Sequence, residues 1–409
     1  AAVAAFLAWF LRRLGQARPF AFALAPLAIS PFFAFRDHLA RPAHLTVPLV
    51  LLGLCAGAGE IGPAWALAAG FAHGLLHLSS PLTPFYTALG LLSARLAGGR
   101  GSARALLWAV GGVSLSFLVR PDRANYLSVA FLHNAGTLGL LPGGVAPGSG
   151  IEAAPLPFDS LLFETWPGFV LLALAWIASR TGTPSGSRAM RAAAQVALAV
   201  SFVLTLRTGR FLDYVPPLFA ISAALLWPRE GVRPRPLRLA AACAALAGVA
   251  LAARGVAIAW EVGGAVAEPP AAYDALAAEV RSRVAPGALL FTDDTFRTAV
   301  VYASLPEYRY IAMADPSLLQ AANPDLFWLW HHAVTDGTLC ERSRCEGAPA
   351  GPGAVAEAIR RFGSEWIVMS GMQSVLLRQL LSAPESFELV SAIGPPGHTL
   401  LLWHMRRGG

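Results

Sequence analysis

Charged residues interrupt an apolar stretch at Leu204–Leu218. The segment reads Arg207-Thr-Gly-Arg210-Phe-Leu-Asp213-Tyr214 and lies between apolar runs at 192–206 and 211–227. Lipid does not solvate charge, so such residues belong in a turn at the bilayer surface or in a polar cavity. Guanidinium groups bind phosphate bidentately and keep their charge when partly buried. The segment therefore indicates either a pair of interfacial anchors or a phosphate-binding site.

The composition excludes a soluble fold for the first two-thirds of the chain. Hydrophobic residues make up 56%, charged residues 13%, and the mean hydropathy is +0.55. The formal net charge is +7, but the basic residues fall between apolar runs instead of forming a stripe. This pattern is typical of membrane topology and argues against nucleic-acid binding.

Ten apolar runs predict a polytopic α-helical membrane domain over 1–260, with about ten transmembrane or partial helices. They lie at 1–11, 20–35, 45–58, 63–78, 81–97, 104–119, 159–179, 192–206, 211–227 and 237–260. Several are shorter than the roughly 20 residues of a clean span, so one or two could be re-entrant. Residues 261–409 are expected to form a small α/β domain.

Arginine counts predict the orientation. If the runs alternate in direction, thirteen arginines fall in one set of connections: Arg12, Arg13, Arg18, Arg95, Arg100, Arg104, Arg180, Arg188, Arg191, Arg229, Arg233, Arg235 and Arg238. Six fall in the other: Arg36, Arg41, Arg120, Arg123, Arg207 and Arg210. The richer set faces the cytoplasm by the positive-inside rule. The protein is therefore expected in the cytoplasmic membrane, with the α/β domain outside.

Polar residues gather in the predicted outer turns. They include Arg36, Asp37, Arg41, His73, His77, Arg120, Glu152, Asp159, Glu164, Arg207, Arg210 and Asp213. Anchoring explains any single turn, but together these turns favour a polar extracytoplasmic cavity. His73 and His77 are four residues apart and could chelate a metal, although hydrogen bonding or packing is favoured without a third ligand. Ser79-Ser80-Pro81 is interpreted as a helix start.

The tail alternates helical and strand patterns, which predicts a largely parallel sheet. Asp293-Asp294 follows a predicted strand and could hold a sugar or a cation, or cap a helix. Cys340 and Cys345 bound a short polar loop, which indicates a small disulfide more than a metal site in an oxidising compartment. Cys55 and Cys243 lie in apolar runs and are expected to pack there.

Two groups of segments resemble the GT-C superfamily of membrane glycosyltransferases, especially bacterial members with an extracytoplasmic α/β domain. The membrane segments are Arg36-Asp37-His38-Leu-Ala-Arg41-Pro42, His77-Leu-Ser-Ser-Pro81 and Leu206–Pro216. The tail segments are Phe291–Asp294, Tyr308–Pro316 and Asp325–Trp330. The resemblance covers nearly the whole chain, and each motif alone is loose.

The resemblance implies transfer of a sugar from a polyprenyl-phosphate donor to an extracytoplasmic acceptor. It implies that Arg207 and Arg210 bind the donor phosphate, that Asp213 fixes one guanidinium, and that Arg36, Asp37 and Arg41 line the opposite side. His77 and Arg120 are secondary candidates. The superfamily's acid lies in a first outer loop, expected upstream of residue 1, so the catalytic residue stays unassigned. No cofactor is assigned, and a divalent cation is compatible with the reaction.

Two other functions compete with this hypothesis. A membrane-anchored binding or assembly protein of the cell envelope would use the α/β tail for recognition without catalysis. A transporter would call for internal repeats and charges at mid-membrane depth, and neither is clear in the sequence. Sequence upstream of residue 1 would discriminate the transferase from the binding protein, because an outer loop with Asp or Glu there favours the transferase.

Overall fold

A computed structural model of the chain describes residues 2–31, 33, 43–120, 130–131, 134–135, 155–232, 234–266, 268–293, 295–311, 319–320, 322–372 and 374–406. These residues form two compact units. The first contains the described residues up to Val262, and the second contains those from Gly263 onward. Each unit has a hydrophobic core of its own.

Ten α-helices begin in the first unit among the described residues. They are α1 (Ala2–Arg13), α2 (Pro19–Ile29), α3 (Ala43–Ala58), α4 (Ala64–Leu76), α5 (Leu82–Leu96), α6 (Ala103–Val119), α7 (Phe158–Ala178), α8 (Arg188–Thr205), α9 (Val215–Leu226) and α10 (Arg235–Val266). Short 3-10 turns lie at Ser179–Thr181 and Gly209–Asp213. Each predicted apolar run overlaps one of these helices.

Helix α9 is the core of the first unit. Every residue from Val215 to Leu226 is buried, and the helix packs against α2, α7 and α8. Apart from Ser222 its sequence is apolar on all sides, as expected for a helix with no solvent-facing stripe. Just before it, the Tyr214 hydroxyl lies 2.9 Å from Thr46 Oγ1, which satisfies both buried groups.

Glycines allow two pairs of helices to pack backbone against backbone. A Cβ atom at Gly57 of α3 would overlap the Thr87 carbonyl of α5, and one at Gly90 of α5 would overlap the Leu54 carbonyl of α3. In the second pair, a Cβ at Gly112 of α6 would overlap the Leu67 carbonyl of α4. Gly53 lies against Thr83 and Gly57 against Thr87, and Gly70 lies against Ala109 and Gly74 against Ser116, so residue numbers rise together and each pair is parallel. Small residues serve this purpose in membrane helix pairs.

Three helical segments of the described chain are long and apolar enough to cross a bilayer: 158–181, 188–205 and 235–258. Apolar helices in 19–29, 45–58, 64–76 and 103–119 are shorter. Ten membrane crossings therefore stay a prediction. Helix α10 exposes large apolar side chains, with Leu246 73% and Trp260 82% exposed. Such apolar surface suits contact with lipid.

The second unit combines five helices with five strands among its described residues. They are α11 (Pro270–Arg283), β1 (Leu289–Thr292), α12 (Thr295–Ser304), β2 (Arg309–Tyr310), α13 (Pro324–Thr335), α14 (Pro352–Arg361), β3 (Trp366–Ser370), α15 (Val375–Leu381), β4 (Phe387–Ile393) and β5 (Leu400–Met405). The Asn323 side chain accepts from Leu326 N at 3.1 Å and caps the start of α13.

The sheet is mixed, in the order β2-β1-β3-β5-β4. Strand β1 pairs in parallel with β2 and β3, whereas β5 pairs antiparallel with β3 and β4. The prediction of a largely parallel sheet was therefore wrong for the pairings that involve β5. No helix separates β4 from β5, and a short turn can join only antiparallel neighbours. Gly394 and Gly397 adopt left-handed φ angles of 111° and 83° in that turn.

Helices cover both faces of this sheet. Leu276 and Val280 of α11 pack with Val301 of α12 in one core. Phe327 of α13, Ile359 of α14 and Leu380 of α15 belong to the other. Both faces of the central strands are thereby buried, which explains their nearly continuous apolar sequence.

Candidate functional site

A cleft of about 600 Å³ lies in the first unit beside the Gly209–Asp213 turn. The described residues that line it are Leu156, Asp159, Ser160, Phe163, Glu164, Gly209 and Leu212. Helix α7 supplies both carboxylates from its first two turns, and the turn supplies Gly209 and Leu212. A cleft with two acids in a largely apolar helical unit is a candidate ligand site.

The turn that borders the cleft is fixed by backbone and core contacts. The amides of Arg207 and Thr208 both donate to the Leu204 carbonyl at 3.0 Å and end helix α8. Phe211 and Leu212 are buried and anchor the turn in the core. Pro216 and Pro217 then occupy the first turn of α9, where their missing N–H groups cost nothing. The arginines are thus carried by a defined backbone.

One backbone contact brings α7 to this turn. The amide of Leu156 donates to the Thr205 carbonyl, the last residue of α8, at 3.3 Å. Pro157 follows, and α7 starts at Phe158. Asp159 is consequently held near the point where the chain leaves α8.

The predicted phosphate ligands flank the cleft along the chain. Arg207 is exposed, Arg210 is half-buried, and Gly209 between them lines the cleft. Asp213 is buried, with 4% exposure. The pairing of Asp213 with a guanidinium stays a prediction. Arg36, Asp37 and Arg41, predicted on the opposite side, lie outside the described residues.

Arg120 and His77 lie together at the end of helix α4. Arg120 Nη1 donates to the Leu75 carbonyl at 3.2 Å, and the His77 amide donates to the His73 carbonyl at 2.9 Å. Neither is among the described residues that line the cleft. Arg120 thereby acts on a carbonyl near the C-terminus of α4, the position where a cation is favoured. A ligand role for either residue stays a prediction.

His73 and His77 share hydrogen bonds through Ser79. The Ser79 hydroxyl lies 3.0 Å from His73 Nε2 and 2.7 Å from His77 Nδ1, and Thr83 Oγ1 lies 2.7 Å from His73 Nδ1. The Ser79 amide donates to His77 Nδ1 at 3.1 Å, so this nitrogen is unprotonated. Hydrogen bonding, favoured over metal chelation from the sequence, is confirmed for His73. The Ser79 hydroxyl bonds these two rings and does not cap α5, which has no side-chain cap.

Sequence reasoning placed Asp159 and Glu164 in the predicted polar cavity but gave neither of them a binding role. Glu164 is half-buried, and its Oε2 accepts a hydrogen bond from Ser30 Oγ at 3.1 Å. The Phe33 amide donates to the same Ser30 oxygen, which leaves the hydroxyl proton for Glu164. The signal was present in the sequence, because an acid inside an apolar run is a functional candidate by default.

The second unit contains a compact polar cluster around His332. Cys340 and Cys345 form a disulfide, as favoured from the sequence, and the described residues of the cluster also include Asp336. Neighbouring His331 is half-buried and stacks on Phe327 with centroids 5.8 Å apart. Burial and the nearby His332 lower the pKa of His331. Asp293 follows β1 and is partly exposed, whereas Asp294 lies outside the described residues.

Comparison with solved structures gives distant neighbours. No protein-family model and no curated protein sequence matches the chain. The chain is similar to the arabinofuranosyltransferase AftD from Mycobacteria, with a TM-score of 0.48 and 14% identity over 100% of this chain and 33% of that chain. A mutant form of AftD gives a TM-score of 0.43 and 14% identity over 98% and 34%. The chain spans about one third of these neighbours, and a likeness of this degree assigns neither family nor function.

Proposed function

We propose that the chain is part of a GT-C-type glycosyltransferase that moves a sugar from a polyprenyl-phosphate donor to an extracytoplasmic acceptor. The observation that carries the proposal is the cleft lined by Asp159, Glu164 and Gly209, with Arg207 and Arg210 on either side of that glycine. The resemblance of several sequence segments to the GT-C superfamily supports it. Under this proposal the protein lies in the cytoplasmic membrane, with residues 261–409 outside.

The two kinds of charge suit the two ends of such a donor. Arginine binds the lipid phosphate bidentately and stabilises the negative charge that grows as the sugar–phosphate bond breaks. Carboxylates repel that phosphate but accept hydrogen bonds from sugar hydroxyls, so Asp159 and Glu164 would face the sugar or the acceptor. They could also hold a divalent cation, whose oxygen ligands are of this kind.

The proposed reaction exchanges one bond for another at the anomeric carbon. An acceptor hydroxyl oxygen forms the new glycosidic bond, the bond from that carbon to the phosphate oxygen breaks, and the lipid phosphate leaves with the electron pair. The acceptor's proton must go to a base.

The test is sugar transfer by the purified full-length protein in liposomes, from a labelled polyprenyl-phosphate sugar. We expect Arg207→Ala and Arg210→Ala each to reduce transfer by about 10²–10³-fold, the usual effect of removing one electrostatic stabiliser. Arg180→Ala is the matched control, because Arg180 lies at the far end of α7 over the Trp176 ring. Both arginine variants transferring at the wild-type rate would refute the phosphate role.

The same assay addresses the non-catalytic alternative. Donor binding that weakens in the arginine variants, with no transfer by the wild-type protein, would support a binding or assembly protein of the cell envelope. Product formation by wild-type protein, lost in the variants and retained in Arg180→Ala, supports the transferase.

A further inference from the structure

A groove of about 310 Å³ lies on the first unit along the second half of α7, away from the candidate cleft. The described residues that line it are Phe169, Leu172, Ala173, Trp176, Gln195 and Leu226. Helix α7 supplies the first four, and α8 and α9 supply one each. Because α7 and α8 are both long and apolar enough to cross a bilayer, a groove on their surface is accessible to lipid.

Gln195 is the polar residue of this groove. It is exposed on α8, and its side-chain amide forms no hydrogen bond within the part of the chain that the structure describes. An amide in hydrocarbon without a hydrogen-bond partner costs free energy. The groove therefore suits an occupant that is apolar over most of its length and has a hydrogen-bonding group at Gln195.

Two arginines on α8 lead from the helix end to this glutamine. Arg188 is exposed, and Arg191 is half-buried with its Nη1 donating to the Gly186 carbonyl. Residues spaced by three and four lie on one face of a helix, so both arginines share a face with Gln195. The helical rise places them about 10 Å and about 6 Å from Gln195 along the axis.

A third arginine lies at the same end of the groove, on α7. The Arg180 guanidinium carbon lies 4.7 Å from the centroid of the Trp176 ring, a cation–π contact that holds the charge beside a lining residue. The sequence contains no acidic residue from 165 to 212. Glu60 is the described acid nearest along the contacts, and it accepts a hydrogen bond from the Ser187 hydroxyl. This end of the groove is therefore positively charged.

We propose that the groove binds one anionic glycerophospholipid. An acyl chain lies along Phe169 and Leu172, an ester carbonyl accepts a hydrogen bond from Gln195, and the phosphate lies between Arg180 and Arg188. Arginine binds phosphate bidentately, and the order of groups in such a lipid matches the order of these residues. Under the predicted orientation the site opens to the inner leaflet, where anionic lipids attract basic residues. The proposal does not depend on sugar transfer.

Two other interpretations of the groove differ from this one in measurable ways. Trp and Arg commonly anchor the ends of membrane helices, but anchoring gives no reason for an exposed glutamine about 10 Å inside α8. A second copy of the chain could bond to Gln195, since polar side chains join membrane helices. A symmetric dimer through this face would bring the arginines of both copies together, so like charges oppose it.

The experiment is native mass spectrometry of the purified whole chain in neutral detergent. The protein is titrated separately with phosphatidylglycerol, which is anionic, and phosphatidylcholine, which is zwitterionic, with identical acyl chains. We expect one phosphatidylglycerol per chain to bind about 25-fold more tightly than phosphatidylcholine, because two arginines contribute about fivefold each. Arg180→Gln and Arg188→Gln should each reduce this preference about fivefold. Gln195→Leu should weaken both lipids equally, because both have ester carbonyls.

Arg104→Gln is the matched control, because Arg104 is an exposed arginine at the start of α6 and does not line the groove. It removes the same charge and should keep the full preference. Thermal unfolding checks that each variant is folded. In liposomes of neutral lipid Arg180→Gln should keep sugar transfer, so this proposal and the transferase proposal can fail separately.

Three results would overturn the lipid site. The first is a preference for phosphatidylglycerol that both groove variants retain, and the second is an equal loss of preference in Arg104→Gln. The third is a chain that is dimeric in detergent and becomes monomeric in Gln195→Leu with unchanged lipid binding, which would assign the groove to a second copy.

Discussion

The packing of helix α6 on α4 predicts opposite results for two adjacent glycines. A Cβ atom at Gly112 would overlap the Leu67 carbonyl oxygen and lie 2.9 Å from the Phe71 amide nitrogen. A Cβ atom at Gly111 would meet only Leu67 Cδ1, at 3.9 Å. Gly112→Ala therefore forces two helix backbones apart, whereas Gly111→Ala adds a methyl group in ordinary contact with one flexible side chain.

The size of the difference follows from two terms. Replacing a helical glycine by alanine gains about 1 kcal/mol at either site, so this gain cancels in the comparison. Overpacking costs about 1–3 kcal/mol, and the upper end applies at Gly112 because backbone atoms cannot rotate away. We therefore expect Gly112→Ala to be about 3 kcal/mol less stable than Gly111→Ala. In a unit of this size that corresponds to roughly 6–12 °C in melting temperature.

The assay is thermal unfolding in detergent with a thiol-reactive dye. Cys55 of α3 is fully buried in the first unit, so a Cys243→Ser background lets the dye report unfolding of that unit. Gly111→Ala should melt at or slightly above the parent temperature, and Gly112→Ala well below it. Equal melting temperatures for the two variants would show that α4 and α6 do not pack through Gly112.

Two further predictions concern the second unit. The lowered pKa of His331, caused mainly by burial, means that the folded tail binds fewer protons than the unfolded chain as the pH falls through about 6.5. Stability should fall on acidification there, and His331→Gln should show a shallower pH dependence in urea unfolding. Ser374→Ala should cost about 1 kcal/mol in the same assay, because its hydroxyl caps α15 by accepting from Leu377 N at 3.1 Å. Exposed Ser382→Ala should change stability by less than about 0.5 kcal/mol.

Helix positions in the first unit could be predicted from the sequence because apolar runs and their polar breaks are local signals. Run 104–119 became α6 at Ala103–Val119, with Ser102 accepting from Ala105 N at 3.1 Å as its cap. Membrane crossing is a different matter, since it depends on length. Helix α2 has only 11 residues, so its apolar composition predicts a helix without showing a span.

The partners of the helices were not predictable, although their packing surfaces were. Gly53 and Gly57 of α3, like Gly70 and Gly74 of α4, have the four-residue spacing that marks a close helix contact. This spacing predicts that the backbone of another helix packs closely against these glycines, but it does not identify that helix. In the second unit, no helix separates β4 from β5, and this pattern in the sequence indicates an antiparallel pair. The rule that strands alternating with helices form a parallel sheet does not hold for these two strands.

The candidate site illustrates where prediction from sequence stops. Arg207 and Arg210 stand out because charge between apolar runs needs a reason, and Glu164 carries the same signal inside α7. What brings the two segments of the candidate site near one another is the hydrogen bond from the Leu156 amide to the Thr205 carbonyl, which sets the start of α7 against the end of α8. Any residue but proline can donate that bond, so the sequence carries no mark of it. The type of residue predicts the chemistry, and the tertiary backbone contact decides which residues lie close enough to act together.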